Sequence, residues 1–145
     1  MTKLMLSLHV IAAIVAIGPV TVAASMFPPA ARRAAADPSD ARHGAVLRSL
    51  HRTCRVYALV GIAVPVFGFA TAGMLGVTGD PWVVVSIALT GAAAGVLALV
   101  VLPGQERVLA GASVARLGMY TGAFNLLWAT VTVLMIIRPG STTSV

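Results

Sequence analysis

Four long apolar stretches, separated by short polar segments, constrain this chain more than any other feature. They run approximately over 4–27, 56–77, 82–102 and 117–137. Each is close to the roughly 20 residues that a helix needs to cross about 30 Å of hydrocarbon. Lipid offers the backbone no hydrogen-bond partner, and the alternating pattern of a barrel strand is absent from these stretches. The sequence therefore predicts an all-α polytopic membrane protein, a four-transmembrane-helix bundle forming one domain over residues 1–145.

Composition agrees with the membrane class. Hydrophobic residues make up 59% of the chain and charged residues 10%, whereas soluble domains carry about 25% charged residues. The formal net charge of +6 sits in short segments beside apolar spans, where it acts on topology and lipid headgroups rather than on nucleic acid. Cys54 is the single cysteine, so an intramolecular disulfide is excluded.

The basic residues predict an orientation. Eight arginines lie in the connections between spans one and two and between spans three and four: Arg32, Arg33, Arg42, Arg48, Arg52, Arg55, Arg107 and Arg116. Lys3 and Arg138 lie at the opposite end. The positive-inside rule then places both long connections in the cytoplasm and both termini outside.

The first connection, 28–55, has room for structure. Asp37-Pro38-Ser39-Asp40 supplies a cap candidate and a proline at a permitted first-turn position. We therefore expect a cytoplasmic helix from about Pro38 that continues into the second span. Lys3 and the following apolar run also resemble a signal peptide, but the run exceeds the usual core of about 7–15 residues, so we expect a retained span.

His9 is the ionisable residue inside the first span, and such a residue is by default a functional hypothesis. It could ligate a haem iron, or it could be a neutral imidazole hydrogen-bonded between helices, which we favour. His51 and His43 belong to the opposite end, so neither can share an iron with His9. The second ligand at matching depth would be a methionine sulfur, such as Met5 or Met119.

Few side chains of this sequence are candidates for catalysis or metal binding. The four carboxylates, Asp37, Asp40, Asp80 and Glu106, are expected in loops, and Cys54 with the three histidines does not form a zinc pattern. Without acidic or basic groups deep in the spans, proton or ion coupling is disfavoured. We predict no catalytic residues, no metal site, no cofactor and no enzymatic activity for the isolated chain, with small-solute transport as a weaker possibility.

Residues that allow close helix packing are more numerous than residues that could carry chemistry. Small residues one turn apart recur at Gly91 and Gly95 and at Gly118 and Gly122, and they allow helices to approach closely, either within the bundle or against another subunit. Asn125 is expected to hydrogen-bond between helices. Two further residues, Pro19 and Pro65, are expected to bend the first and second spans.

A basic set precedes the second span at near-helical spacing: Arg48, His51, Arg52 and Arg55. Such a set at the cytoplasmic end of a helix favours binding of an anionic lipid such as cardiolipin, although ordinary topological anchoring is the commoner role.

The opening Leu8-His9-Val10-Ile11-Ala12-Ala13, with Gly18-Pro19 and Phe27-Pro28-Pro29, resembles small four-span bacterial membrane proteins with a Leu-His first helix. In overall plan the chain looks like the accessory subunits of the actinobacterial cytochrome bcc and cytochrome aa3 respiratory supercomplex. The resemblance implies a multi-pass plasma-membrane protein that supports an electron-transport complex by packing against its membrane subunits. Relatives of the Leu-His proteins handle haem or copper, which implies a haem-handling or redox enzyme using His9 as the alternative.

Overall fold

The computed structural model of the protein describes residues 1–141, whose regular structure is entirely helical. Its elements are α1 (Thr2–Ala36), α2 (Ala41–Val60), α3 (Ala63–Leu75), α4 (Pro81–Gly95), a π-helical segment (Val96–Val101), α5 (Leu102–Leu109) and α6 (Leu117–Ile137). Four units are long and apolar enough to cross a membrane: α1, α2 with α3, α4 through α5, and α6. The predicted all-α bundle of four membrane-spanning helices is confirmed. Which side of the membrane holds the termini stays a prediction.

The first span is longer than its apolar stretch. We expected it to end at Phe27, before Pro28 and Pro29, yet α1 continues through both prolines to Ala36. Each proline removes one helix hydrogen bond. Phe27 and Pro28 are buried, as are the next alanines, and this packing holds the helix together where local preference would end it.

The second span contains the expected helix start. Asp40 caps α2, and its Oδ1 accepts a hydrogen bond of 2.8 Å from the backbone N–H of Arg42. The helix therefore begins three residues later than Pro38. The α2–α3 break at Gly61 and Ile62 lies one turn before Pro65, because Pro65 cannot donate to the carbonyl of Gly61.

The third span also passes a proline. Its expected end was residue 102, but the helix continues through Pro103 to Leu109. The six π-helical residues end at Val101, two residues before Pro103. Such wider turns occur as local departures from α-helical bonding. The fourth span, Leu117–Ile137, has the predicted bounds.

The four spans run antiparallel, which gives the bundle two different ends. The terminal end holds the start of α1, the end of α6 and the turn between α3 and α4, where the Arg138 guanidinium lies 5.5 Å from the centre of the Trp82 ring. The basic end holds the connections that follow α1 and α5. We refer below to the halves of the bundle nearer these ends as the terminal half and the basic half.

One apolar core joins all four spans in the basic half. Its fully buried side chains include Phe27 of α1, Cys54 of α2, Val101 of the third span and Phe124 of α6. In the terminal half α1 packs mainly on α3 and α4 mainly on α6. A small cluster around Val77 and Trp82 joins these pairs at the turn.

Candidate functional site

A network of buried polar side chains joins the second and third spans at the basic end. The Nδ1 atom of His51 lies 2.9 Å from Oε1 of Gln105. Because an amide oxygen only accepts, Nδ1 carries the proton in this bond. The Gln105 amide nitrogen donates to Sγ of Cys54 at 3.5 Å. Gln105 and Cys54 are fully buried and His51 is 8% exposed, so these bonds satisfy groups that would be costly to bury alone.

Glu106 connects this network to the surface. Its Oε1 lies 3.6 Å from Nε2 of His51, and its side chain is 58% exposed. With Nδ1 donating to Gln105, Nε2 is the ring nitrogen of His51 that faces the Glu106 carboxylate.

Local sequence positions both sides of the network. On α2, Leu47, His51 and Cys54 are the buried residues, and their spacing of four and three places them on one helix face. On the third span, Gly104 precedes Gln105, and a Cβ added there would lie 2.9 Å from Cδ1 of Leu117. The absence of a side chain at Gly104 thus lets α5 approach α6 beside the network.

The structure separates His51 from the arginines with which it was grouped. Arg48, Arg52 and Arg55 are exposed along one face of α2, whereas His51 points into the bundle. The cause is the inward stripe described above, which His51 shares with two apolar side chains. The exposed basic surface of α2 therefore consists of arginines without His51.

The two glycine motifs have different surroundings. A Cβ added at Gly118 would lie 3.9 Å from Cγ of Pro28, so this glycine faces the first span. At Gly122, Gly91 and Gly95 an added Cβ would meet no atom within 4 Å. Gly91 is exposed and Gly95 half-buried. The motif on the fourth span thus begins at an internal contact, and the motif on the third span faces outward.

Asn125 makes the interhelical hydrogen bond that we predicted. Its Nδ2 donates to Oγ of Ser25 on α1 at 3.0 Å. Its Oδ1 is buried without a partner among residues 1–141. Three further buried polar atoms share that condition within the described chain: Oγ of Ser86, Oγ1 of Thr121 and Nε1 of Trp128.

His9 is held against the second span. Its Nδ1 lies 2.8 Å from the carbonyl oxygen of Val64, and since a carbonyl only accepts, Nδ1 donates. Gly68 makes room for the ring, because a Cβ there would lie 2.9 Å from its Cε1. The expected interhelical hydrogen bond of His9 is present, and Nε2 is the ring atom left for a ligand.

The methionines named with His9 lie at different depths. Met5 is one turn before His9 on α1, at the terminal end. Met119 follows Gly118, which lies beside Pro28 in the basic half. His51 is also far from His9, as expected: about 13 residues of helix, or roughly 20 Å, separate His51 from Val64, which His9 contacts. Met5 is therefore the methionine of the two that shares a depth with His9.

The α1–α2 connection brings together Asp37, Asp40 and His43, which were not predicted to form a group. One ligand atom from each lies within 4.8 Å of the others, a set that suits a divalent cation chemically. The Ser39 hydroxyl donates to Asp37 at 2.7 Å, and this bond lowers the pKa of the Asp37 carboxyl. Asp40 already caps α2, so its carboxylate is shared between two roles.

No protein-family model, no curated protein and no solved structure matches this chain.

Gln105 is the buried polar residue that sequence reasoning missed. It follows Pro103 and Gly104, which we interpreted as the start of a loop. Gln105 directly follows the apolar stretch of the third span, and His51 precedes the apolar stretch of the second span at the same end of the bundle. This shared depth was the available signal. That signal becomes readable once the helix is known to pass Pro103.

Proposed function

We propose that the protein is a non-catalytic accessory or assembly subunit that packs in the membrane against a larger complex. The partner that we propose, from the resemblance in overall plan, is the cytochrome bcc and cytochrome aa3 respiratory supercomplex of an actinobacterium. A plasma-membrane location, with the basic end in the cytoplasm, belongs to the same proposal.

The outward face of the third span carries this proposal. Gly91 is exposed at its centre, and Gly95 lies one turn further along the same face. Ala88, Ala92 and Ala98 are further small exposed residues near these glycines, and Val84 and Leu99 are larger exposed residues of the same face. In membranes, close backbone packing over small residues drives helix association. A partner helix would gain such contacts here, because a Cβ added at either glycine would meet no atom of residues 1–141 within 4 Å.

Lipid is the second part of the proposed role. Anionic lipid such as cardiolipin, bound by arginines at the basic end, would lie between this subunit and its partner. Each basic residue near an anionic leaflet contributes about 1 kcal/mol. Arg52 and Arg55 are exposed and form no ion pair within residues 1–141, which supports this assignment.

The test is recovery of partners from native membranes in mild detergent. The tagged wild-type chain should recover large subunits that carry haem absorbance. Replacement of both Gly91 and Gly95 by isoleucine should abolish this recovery, because two branched side chains keep a partner backbone away. Gly73→Ile is the matched control, since Gly73 is an exposed helical glycine of α3 with open space around it.

Two results would contradict the proposal. One is recovery of the wild-type chain only as a free monomer. The other is equal recovery of haem-bearing partners by the wild type and the double variant. Mass spectrometry of the recovered subunits would identify the complex.

One observation favours a haem-handling or redox role as a second candidate. Histidines that bind metals usually donate their other ring N–H to an oxygen acceptor, and His9 donates in this way to the Val64 carbonyl. This arrangement would leave Nε2 of His9 to hold a haem iron, with the Met5 sulfur as a second donor near that depth. The purified chain should then show a Soret band that His9→Ala removes and Met119→Ala preserves. A colourless preparation would argue against this role.

A further inference from the structure

We propose that one continuous face of the second span binds a single anionic phospholipid. This lipid face consists of Arg48, Arg52, Arg55, Leu59, Ile62 and Val66. The phosphate would lie on the arginines, and one acyl chain would follow the apolar residues. The inference deepens the lipid part of the proposed function and does not depend on the partner complex.

Helical spacing aligns these six residues. Successive members are separated by four, three, four, three and four positions, which is the repeat of one helix face. All six are exposed. The break between α2 and α3 preserves this alignment, because Gly61 and Ile62 both keep right-handed helical backbone angles. The face therefore changes from basic to apolar along one uninterrupted line.

The depth of this change matches a lipid leaflet. From residue 56 to residue 75 the span is apolar, and 20 helical residues cover about 30 Å, the thickness of the hydrocarbon core. Arg55 then lies at the boundary of the hydrocarbon, with Arg52 roughly 4.5 Å further out. That is the level of the phosphate groups, and the apolar members lie at the level of the acyl chains.

Charge favours an anionic lipid over a zwitterionic one. Within residues 1–141 neither Arg52 nor Arg55 forms an ion pair. The acidic groups of this end lie elsewhere: Glu106 is beside His51, and Asp37 and Asp40 line a groove that reaches Arg48. Arg52 and Arg55 can therefore bind a lipid phosphate with the least competition from carboxylates of the protein. A choline headgroup would bring its own cation and weaken the attraction.

The experiment titrates the full-length chain, purified in detergent, with phosphatidylglycerol and phosphatidylcholine, and counts bound lipid by native mass spectrometry. The wild type should prefer phosphatidylglycerol. In Arg52→Gln/Arg55→Gln this preference should fall by about tenfold or more, since each arginine near anionic lipid contributes roughly a factor of five. Arg32→Gln/Arg33→Gln is the matched control, because it removes two exposed arginines from the same end and should change the preference by less than about twofold.

Three outcomes would overturn the inference: no preference in the wild type, an equal loss in both double variants, or equal binding of water-soluble glycerol phosphate. The second would indicate diffuse attraction by net charge, and the third would remove the role of the apolar residues. Because the assay uses the isolated chain, its failure is distinct from a failure of partner recovery. Unchanged recovery of partners by Arg52→Gln/Arg55→Gln would separate lipid binding from docking.

Discussion

In the basic half all four spans share one core, whereas in the terminal half they separate into two pairs, α1 with α3 and α4 with α6. The basic half adds a buried polar network around Gln105 to its apolar contacts. In the terminal half a small cluster around Val77 and Trp82 joins the two pairs, and the polar contacts are single ones, such as His9 with Val64 and Arg138 with Trp82. Since lipid removes most of the hydrophobic force between helices, packing and hydrogen bonds decide stability. Stability should therefore be concentrated in the basic half.

The largest expected effect is at the centre of the shared core. Phe27 is fully buried, while Phe69 of α3 is 54% exposed. Phe27→Ala should lower the free energy of unfolding by about 3–5 kcal/mol, because it leaves a cavity in a packed interior. Phe69→Ala should leave it nearly unchanged. Unfolding in mixed micelles titrated with dodecyl sulfate measures both, and equal losses would show that the two halves do not differ.

The polar network should come next in size. Gln105→Leu leaves the Nδ1 proton of His51 without an acceptor, so it should lower the free energy of unfolding by about 1–3 kcal/mol. Replacing both partners, as in His51→Leu/Gln105→Leu, should recover part of this loss because the His51 donor is removed together with its acceptor. The same micelle titration applies. A double variant that is no more stable than Gln105→Leu alone would contradict this account.

A smaller effect, confined to the terminal half, is expected at Gly68. In Gly68→Ala the new Cβ would lie 2.9 Å from Cε1 of His9, so the ring must move and its bond to Val64 weakens. The expected cost is about 1 kcal/mol, the scale of interhelical hydrogen bonds in membranes. Gly73→Ala, at a site with open space, should not destabilise. Faster amide exchange limited to α1 and α3 would support the division into pairs. Faster exchange that extends to α5 would contradict it.

The smallest effect should come from the contact at the end of α6. Arg138→Gln removes the guanidinium that lies over the buried Trp82 ring. Cation–π contacts that are not fully desolvated contribute about 0.5–1 kcal/mol. Lys3→Gln removes a positive charge from the same end without touching Trp82. Trp82 fluorescence should change in the first variant and stay constant in the second. Identical spectra would exclude a cation–π contact in solution.

The features of this fold that could be predicted are those that the lipid environment requires of each span separately. The number of spans and the bounds of the fourth follow from runs of apolar residues. The need of His9 and Asn125 for partners follows from their polarity in an apolar stretch. The apolar stretches end at Phe27 and residue 102, but the helices continue beyond them through Pro28, Pro29 and Pro103. In both places packing of neighbouring residues continues the helix, which local preference does not reveal.

The site was less predictable than the fold. Gly91 with Gly95 and Gly118 with Gly122 have the same spacing, yet the second motif begins beside Pro28 and the first faces outward. His51 lies between arginines in the sequence and is buried among apolar residues in the bundle. Its partner Gln105 is 54 positions away. Such pairings depend on how whole spans rotate against one another.

By itself the sequence determined that this protein is helical, that four of its segments can span a membrane, and that the basic residues gather at one end. Only the tertiary structure decided that His51 pairs with Gln105, that the third span turns its glycines outward, and that the terminal half divides into two pairs. The reason is that backbone hydrogen bonding in lipid must be satisfied within each helix and can be read locally. The faces of apolar helices resemble one another, so their pairing depends on shape and on a few polar bonds across all four spans.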